Sequence, residues 1–194
     1  MPASFSPHRL RLRDGREVML RAVDATDGAE IVQAFERLSA DSRYSRFMQH
    51  KKQLDPAALE RGVHPRAGRD FVLLATIPAA DGIDIVGAAQ YVRANENNDK
   101  TCEFAITLAE DWRGSGLGAE LLACLLRQAP ADGYTTMEGS VLADNAPMLA
   151  LARELGFEVE PVPGDATVVR VWRALEAGTQ SALGREAGLS VNFL

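Results

Sequence analysis

Histidine and cysteine are both scarce in this chain, and their scarcity removes whole branches of chemistry. The three histidines, His8, His50 and His64, are scattered, so no histidine-based site is expected and no metal is assigned. The two cysteines, Cys102 and Cys124, lack metal-ligand spacing and fall inside a predicted strand and a predicted helix. Nothing at the N-terminus resembles a signal peptide, so they read as reduced core thiols of a cytoplasmic protein. No apolar run approaches the ~20 residues that a membrane-crossing helix needs. Basic charge is short as well: a net charge of −6 and a pI near 5.1 argue against general nucleic-acid binding. Local basic patches remain, for example Arg43, Arg46, Lys51 and Lys52. A backbone anion site does not depend on net charge, so phosphorylated small molecules stay within reach.

What is present suits one globular domain: 194 residues, 46% hydrophobic and 25% charged, without repeats or low-complexity tracts. Residues 1–15 mix Pro2, Ser6, Pro7 and several arginines and read as a flexible arm; 16–175 form the domain; 176–194 form a tail. Glu17 to Val23 is a first strand. Asp24 or Thr26 caps a helix carrying Ile31, Val32, Phe35 and Leu38 at helical spacing. A short helix follows from Ser42 to Gln49, and another starts at Asp55-Pro56. Phe71–Ile77 and Ile83–Val92 make a hairpin around Pro78 to Gly82, and a polar turn at Asn95 to Asp99 leads into a strand at Cys102–Leu108. Beyond a helix from Ala119 to about Gln128 come a strand (Tyr134–Leu142), a helix capped by Asp144 or Asn145 and ended by Gly156, and strands at Phe157–Val162 and Ala166–Leu175. A meander passing into helix-linked strands predicts an α/β (α+β) fold: a mixed, mostly antiparallel sheet of about seven strands with helices packed on it.

The chemistry concentrates at Arg113-Gly114-Ser115-Gly116-Leu117-Gly118, between a strand and an apolar helix. Alternating glycines permit positive φ and close backbone approach. The helix start adds unpaired N–H groups and the positive end of its dipole. Together they form an anion cradle suited to a pyrophosphate, with Arg113 at its lip. The glycines at 114, 116 and 118 depart from the Gly-x-Gly-x-x-Gly dinucleotide fingerprint, although Glu138 stands at the distance of its ribose-binding acid. No Gly-Lys-Ser/Thr follows, which excludes a nucleotide P-loop. A purely structural glycine turn is the remaining alternative.

Arg113 to Gly118 resembles the Arg/Gln-x-x-Gly-x-Gly/Ala acetyl-CoA signature of the GNAT acetyltransferase superfamily. Asn145 followed by Leu155-Gly156-Phe157 is similar to that superfamily's next helix and the Gly-Phe closing it, and the element order over about 17–175 matches the GNAT fold, with helices on both faces of the sheet. The resemblance implies that the amides of Arg113, Gly114, Ser115, Gly116, Leu117 and Gly118 bind the CoA pyrophosphate. It implies that main-chain groups of Ile106, Thr107 and Leu108 pair with the pantetheine arm, that a main-chain N–H near Leu108 polarises the thioester, and that Asn145 holds the arm or simply caps its helix. The Glu103 and Tyr134 strands would lie parallel and splay apart around the thioester.

Glu103 is the catalytic candidate. An amine acceptor is protonated at neutral pH, so direct attack on the thioester needs a base. A carboxylate in an apolar strand has its pKa raised toward that task, unless strand alternation turns it to solvent; Glu138 is the competitor. Ala152 stands where many GNAT enzymes carry the tyrosine that protonates the leaving thiolate. Leu38-Ser39-Ala40-Asp41-Ser42-Arg43-Tyr44-Ser45-Arg46-Phe47, Glu103-Phe104-Ala105 and Asn145-Ala146-Pro147-Met148 resemble stretches of Pat-type bacterial protein lysine acetyltransferases. That likeness implies a protein lysine acceptor; a small-molecule amine acceptor and a non-catalytic acyl-CoA sensor are the alternatives. As a structural alternative, Tyr44, Arg46 and Phe47 pack a helix over the sheet. The residues specify no oligomeric state.

Overall fold

The computed structural model describes residues 5–47, 53–80, 82–95 and 98–176. His8–Arg11 (β1) and Glu17–Ala22 (β2) form a hairpin closed by Leu12 to Arg16, where the Leu12 N–H donates to the Arg16 carbonyl at 2.8 Å. From His8 onward this corrects the reading of 1–15 as a loose arm. Leu10 and Leu12 face inward while Arg9 and Arg11 face water, and the arginines and Pro7 hide that alternation in the sequence. Phe5 adds a ring contact to Phe71, 5.8 Å between centroids. Residues 177–194, and with them nearly all of the expected tail, lie outside the described residues.

Asp24 provides the expected cap, accepting from the Thr26 N–H at 2.9 Å, and Asp27 closes a reciprocal capping box before helix α1 (Gly28–Arg37). Helix α2 covers Ala40–Phe47; the rest of the expected Ser42–Gln49 helix, with Lys51 and Lys52, lies outside the described residues. Helix α3 (Pro56–Val63) has Asp55 as its cap and Pro56 in its first turn. The meander is β3 (Phe71–Ala79), β4 (Gly82–Asn95) and β5 (Asn98–Leu108). Helix α4 (Leu117–Gln128), strand β6 (Thr136–Leu142), helix α5 (Ala146–Glu154), and strands β7 (Glu158–Val162) and β8 (Asp165–Ala174) complete the order.

The strands form a single sheet in the order β1-β2-β3-β4-β5-β6-β8-β7, eight strands where about seven were expected, β1 being the addition. Every pairing is antiparallel except β5 with β6. Helices α4 and α5 cover one face through a core that includes Leu117, Leu121, Leu125, Leu149, Phe104 and Met137. Helix α1 covers the other, where Ile31 and Ala34 pack on Val72, Leu74 and Ile85.

The parallel pair is short. Only Thr101, Cys102 and Glu103 align with Thr136, Met137 and Glu138. Beyond Glu103, β5 stays with β4 and β6 stays with β8, so the two strands part. Where they part, the Phe104 ring lies over Gly139, and a Cβ there would sit 2.8 Å from Phe104 Cε1. The ring cannot swing aside freely, because it also packs on Phe157 at 5.2 Å. Gly139→Ala is therefore expected to destabilise the protein by about 1–3 kcal/mol in urea unfolding, and Phe104→Leu in that background should recover part of the loss. An unchanged unfolding midpoint for Gly139→Ala would refute this packing.

Candidate active site

The gap between β5 and β6 opens into a cleft of about 950 Å³ whose lining includes Glu103 to Leu108, Arg113 to Gly116, Gly118, Ser140, Asn145 and Arg46. Ten of the eleven site residues expected from the sequence line this one cleft. The exception is Leu117, whose side chain is fully buried in the core beneath it, where it anchors the start of α4.

Alternation decides which backbone groups face the gap. Ala109 donates to the Val86 carbonyl at 2.9 Å, so along this ladder Glu103, Ala105 and Thr107 exchange hydrogen bonds with β4. Even-numbered residues turn the other way, as Lys100 does when its carbonyl accepts from Thr135 at 2.9 Å. The main-chain groups of Ile106 and Leu108 consequently face the gap, whereas those of Thr107 are committed to β4. The expected Ile106, Thr107 and Leu108 set narrows to its first and last members, because a strand offers one edge only at every second residue.

At the mouth of the cleft the backbone takes left-handed conformations at Gly114 (φ 72°) and Gly116 (φ 90°). Gly116 caps α4 without a side chain, leaving the N–H groups of Gly118 and Ala119 with no intrahelical acceptor. The Ser115 hydroxyl turns inward, donating to the Trp112 carbonyl at 2.6 Å and accepting from the Leu117 N–H at 3.2 Å. Ser115 thus offers its backbone, not its hydroxyl, to an anion. Asn145 caps α5, accepting from the Met148 N–H at 3.2 Å, and still lines the cleft, so its amide nitrogen can donate there.

The structure gives Arg113 a partner that sequence reasoning missed. Its Nη2 donates to Ser42 Oγ at 2.6 Å, and Ser42 Oγ donates to Glu110 Oε1 at 2.8 Å. The Ser39 N–H donates to the same Glu110 oxygen at 2.9 Å. Hydrogen bonds from Ser39 and then Ser42, with the Arg113 charge behind them, hold the Glu110 carboxyl down at about 2. The Leu38–Phe47 stretch therefore docks α2 onto the lip of the cradle.

Glu103 is exposed to the open cleft. Partial burial is the largest influence on its carboxyl and raises it; Glu138 across the parallel pair raises it further, and Arg46 opposes both. Arg46, on α2, also lines the cleft and feels Glu103 in return, its own pKa lowered mainly by burial. Glu138 is clamped: Arg170 donates to its Oε2 through Nε at 2.8 Å and Nη2 at 2.5 Å. The same clamp occupies the carboxylate that a dinucleotide reading would place on a ribose.

The family model described as the acetyltransferase (GNAT) domain matches residues 17–158. The chain belongs to the GNAT acetyltransferase family. An acetyltransferase of Pseudomonas aeruginosa is 31% identical over 81% of this GNAT chain and 84% of its own length. An L-methionine sulfoximine/L-methionine sulfone acetyltransferase of Pseudomonas aeruginosa is 34% identical over 48% of this chain and 55% of its own. The GNAT domain of S. lividans Pat shares the fold, with a TM-score of 0.79 at 22% identity, covering 87% of this chain and 97% of that one. A Salmonella typhimurium neighbour solved with acetyl-CoA has a TM-score of 0.65 at 20% identity, over 82% of this chain and 94% of its own. This GNAT protein is an acetyltransferase whose cosubstrate is acetyl-CoA.

The Glu110 contacts give a checkable titration. By NMR, Glu110 should titrate near 2 in the parent protein and move up toward the ordinary 4.5 in Ser39→Ala/Ser42→Ala. Because its folded pKa is depressed, its contribution to stability is present above the unfolded value and is lost as pH falls between about 4.5 and 2. A parent value near 4.5 would show that the contacts do not persist in solution.

Proposed function

We propose that this GNAT acetyltransferase moves the acetyl group of acetyl-CoA to an amine by direct attack, with Glu103 as the general base. The observation carrying this reading is the raised carboxyl of Glu103 at the apex of the β5–β6 gap, with the free main-chain edge of Ile106 and Leu108 running from it toward the cradle. The amides from Arg113 to Gly118 and the start of α4 take the pyrophosphate, and Ile106, Leu108 and Asn145 line up the pantetheine arm. The thioester then lies in the gap, where the Leu108 N–H polarises its carbonyl. Glu103, directly or through one water, removes a proton from the acceptor ammonium. The neutral amine attacks, the tetrahedral intermediate collapses, and CoA leaves as its thiolate. Ala152 is fully buried and carries no proton donor, and no tyrosine among the described residues lines the cleft, so leaving-group protonation falls to solvent or to a hydroxyl such as Ser140. Two buried free thiols, Cys102 and Cys124, support a reducing, cytoplasmic setting.

For the acceptor, a second pocket of about 380 Å³ between α1, α3 and the sheet favours a small-molecule amine with an apolar body. Ile31, Phe35, Leu59, Val72 and Leu74 line it, and it meets the cleft at Arg46 and Thr107. The relative named for L-methionine sulfoximine and L-methionine sulfone supports the same reading. A protein lysine acceptor is the second reading, and the Pat-like stretch from Leu38 to Phe47 favours it.

Glu103→Gln should lower kcat by roughly 10²–10⁴-fold and leave acetyl-CoA affinity, read by calorimetry, unchanged. In the parent, kcat/KM should fall as pH drops through a value above the ordinary 4.5, since only the ionised carboxylate accepts a proton. A variant with full turnover would remove Glu103 from the mechanism. Turnover on a panel of free amines and amino acids, with no lysine labelling of a deacetylated lysate, would decide for the small acceptor; the reverse would decide for protein lysine.

A further inference from the structure

Acetyl-CoA carries a pyrophosphate and, separately, a phosphate monoester on the ribose 3′ oxygen. The backbone cradle and the start of α4 account for the first. Arg113 stands at the lip of that same cradle, with its Nη2 donating to Ser42 Oγ. Three other arginines line the cleft: Arg46, which stands in the field of Glu103, and Arg11 at the end of β1 with Arg13 in the turn that follows.

That turn is built firmly against the cradle. Leu12, between the two arginines, is buried in the same core cluster as Trp112 and Leu117. Arg16 closes the turn, stacks over the Trp112 ring at 4.1 Å, and donates through Nη1 to the Asp111 carbonyl at 2.9 Å. Trp112 immediately precedes the glycine cradle. The acid in the turn, Asp14, is neutralised by Arg16 at 2.6 Å. Among the described residues, neither Arg11 nor Arg13 makes a side-chain hydrogen bond or an ion pair, and both are exposed. Glu17 lies across the hairpin from Arg11, and Glu120 also lines the cleft, so the arginine pair is needed to make this edge attractive to a dianion.

We propose that Arg11 and Arg13 hold the 3′-phosphate of CoA and make the enzyme select CoA over dephospho-CoA. The reading rests on acetyl-CoA being the cosubstrate of this cleft. A phosphate monoester is held by charge-assisted hydrogen bonds from guanidinium groups, and at an exposed site those bonds weaken with salt. The β1–β2 hairpin thereby becomes part of the cosubstrate site.

Calorimetric titration of the full chain with acetyl-CoA and acetyl-dephospho-CoA tests this without any acceptor. The parent should bind acetyl-CoA roughly tenfold tighter or more, and raising the salt from about 0.05 to 0.5 M should shrink that ratio. Arg11→Ala/Arg13→Ala should bring the two ligands within about twofold by weakening acetyl-CoA alone, and Arg11→Lys/Arg13→Lys should restore part of the preference. Both side chains are exposed, so the thermal midpoint should stay put and report any loss of fold. A preference that survives in the alanine variant, or a parent with none, overturns the proposal while leaving acetyl-CoA as the cosubstrate. Failure of the parent to bind acetyl-CoA at all overturns both.

Discussion

Everything at this site depends on β5 and β6 pairing for only three residues and then parting. Each strand stays fully paired on its far side, β5 with β4 and β6 with β8, so the sheet does not fray as a whole. The loss is confined to the facing edges, where Ile106 and Leu108 keep unpaired N–H and C=O groups. Backbone polar groups must find partners, and here only water or a ligand can supply them. A ligand arm bearing amides at intervals, as pantetheine does, can pair with such an edge much as a strand would. Phe104 over Gly139 fills the floor of the wedge and keeps the two strands from closing again.

The same parting sets the electrostatics. Parallel register puts Glu103 beside Glu138, two carboxylates at the apex of the wedge. Left alone they would repel, but Arg170 takes up Glu138 and reaches Glu160 on β7 at 3.1 Å. Glu138 is thus tied to Arg170 while it still raises the Glu103 carboxyl across the parallel pair. Arg46 pulls the other way. Burial is the largest influence and Arg46 the smallest, so the net displacement is upward, which suits a base working against a protonated amine.

Local patterns carried most of the fold, and long-range partners did not show. The strands of the meander, the Asp24, Asp55 and Asn145 caps and the glycine cradle are each written within a few residues, where period and turn chemistry act. β1 escaped because arginines occupy its outward positions and a proline precedes it, so composition outweighed alternation. The contacts among Ser39, Ser42, Glu110 and Arg113 span about 70 positions of sequence, and no spacing rule announces them. The resemblance ties Leu38 to Phe47 to the acceptor, while in the structure Ser39 and Ser42 bind Glu110 beside the cradle. At Thr107 the strand is legible in the sequence, but the edge each residue presents follows only once the ladder with β4 is known.

Helix α2 is the element on which both halves of the reaction converge. With eight residues it is too short to be stable alone, so its position is dictated by what it touches. Ser42 binds it to Arg113 and Glu110 at the cradle lip. One turn on, Arg46 stands in the field of Glu103 and lines the entrance of the apolar pocket. Residues i and i+4 share a helix face, so a displacement of Ser42 carries Arg46 with it. One short helix thereby joins the cradle lip to the charge that faces Glu103.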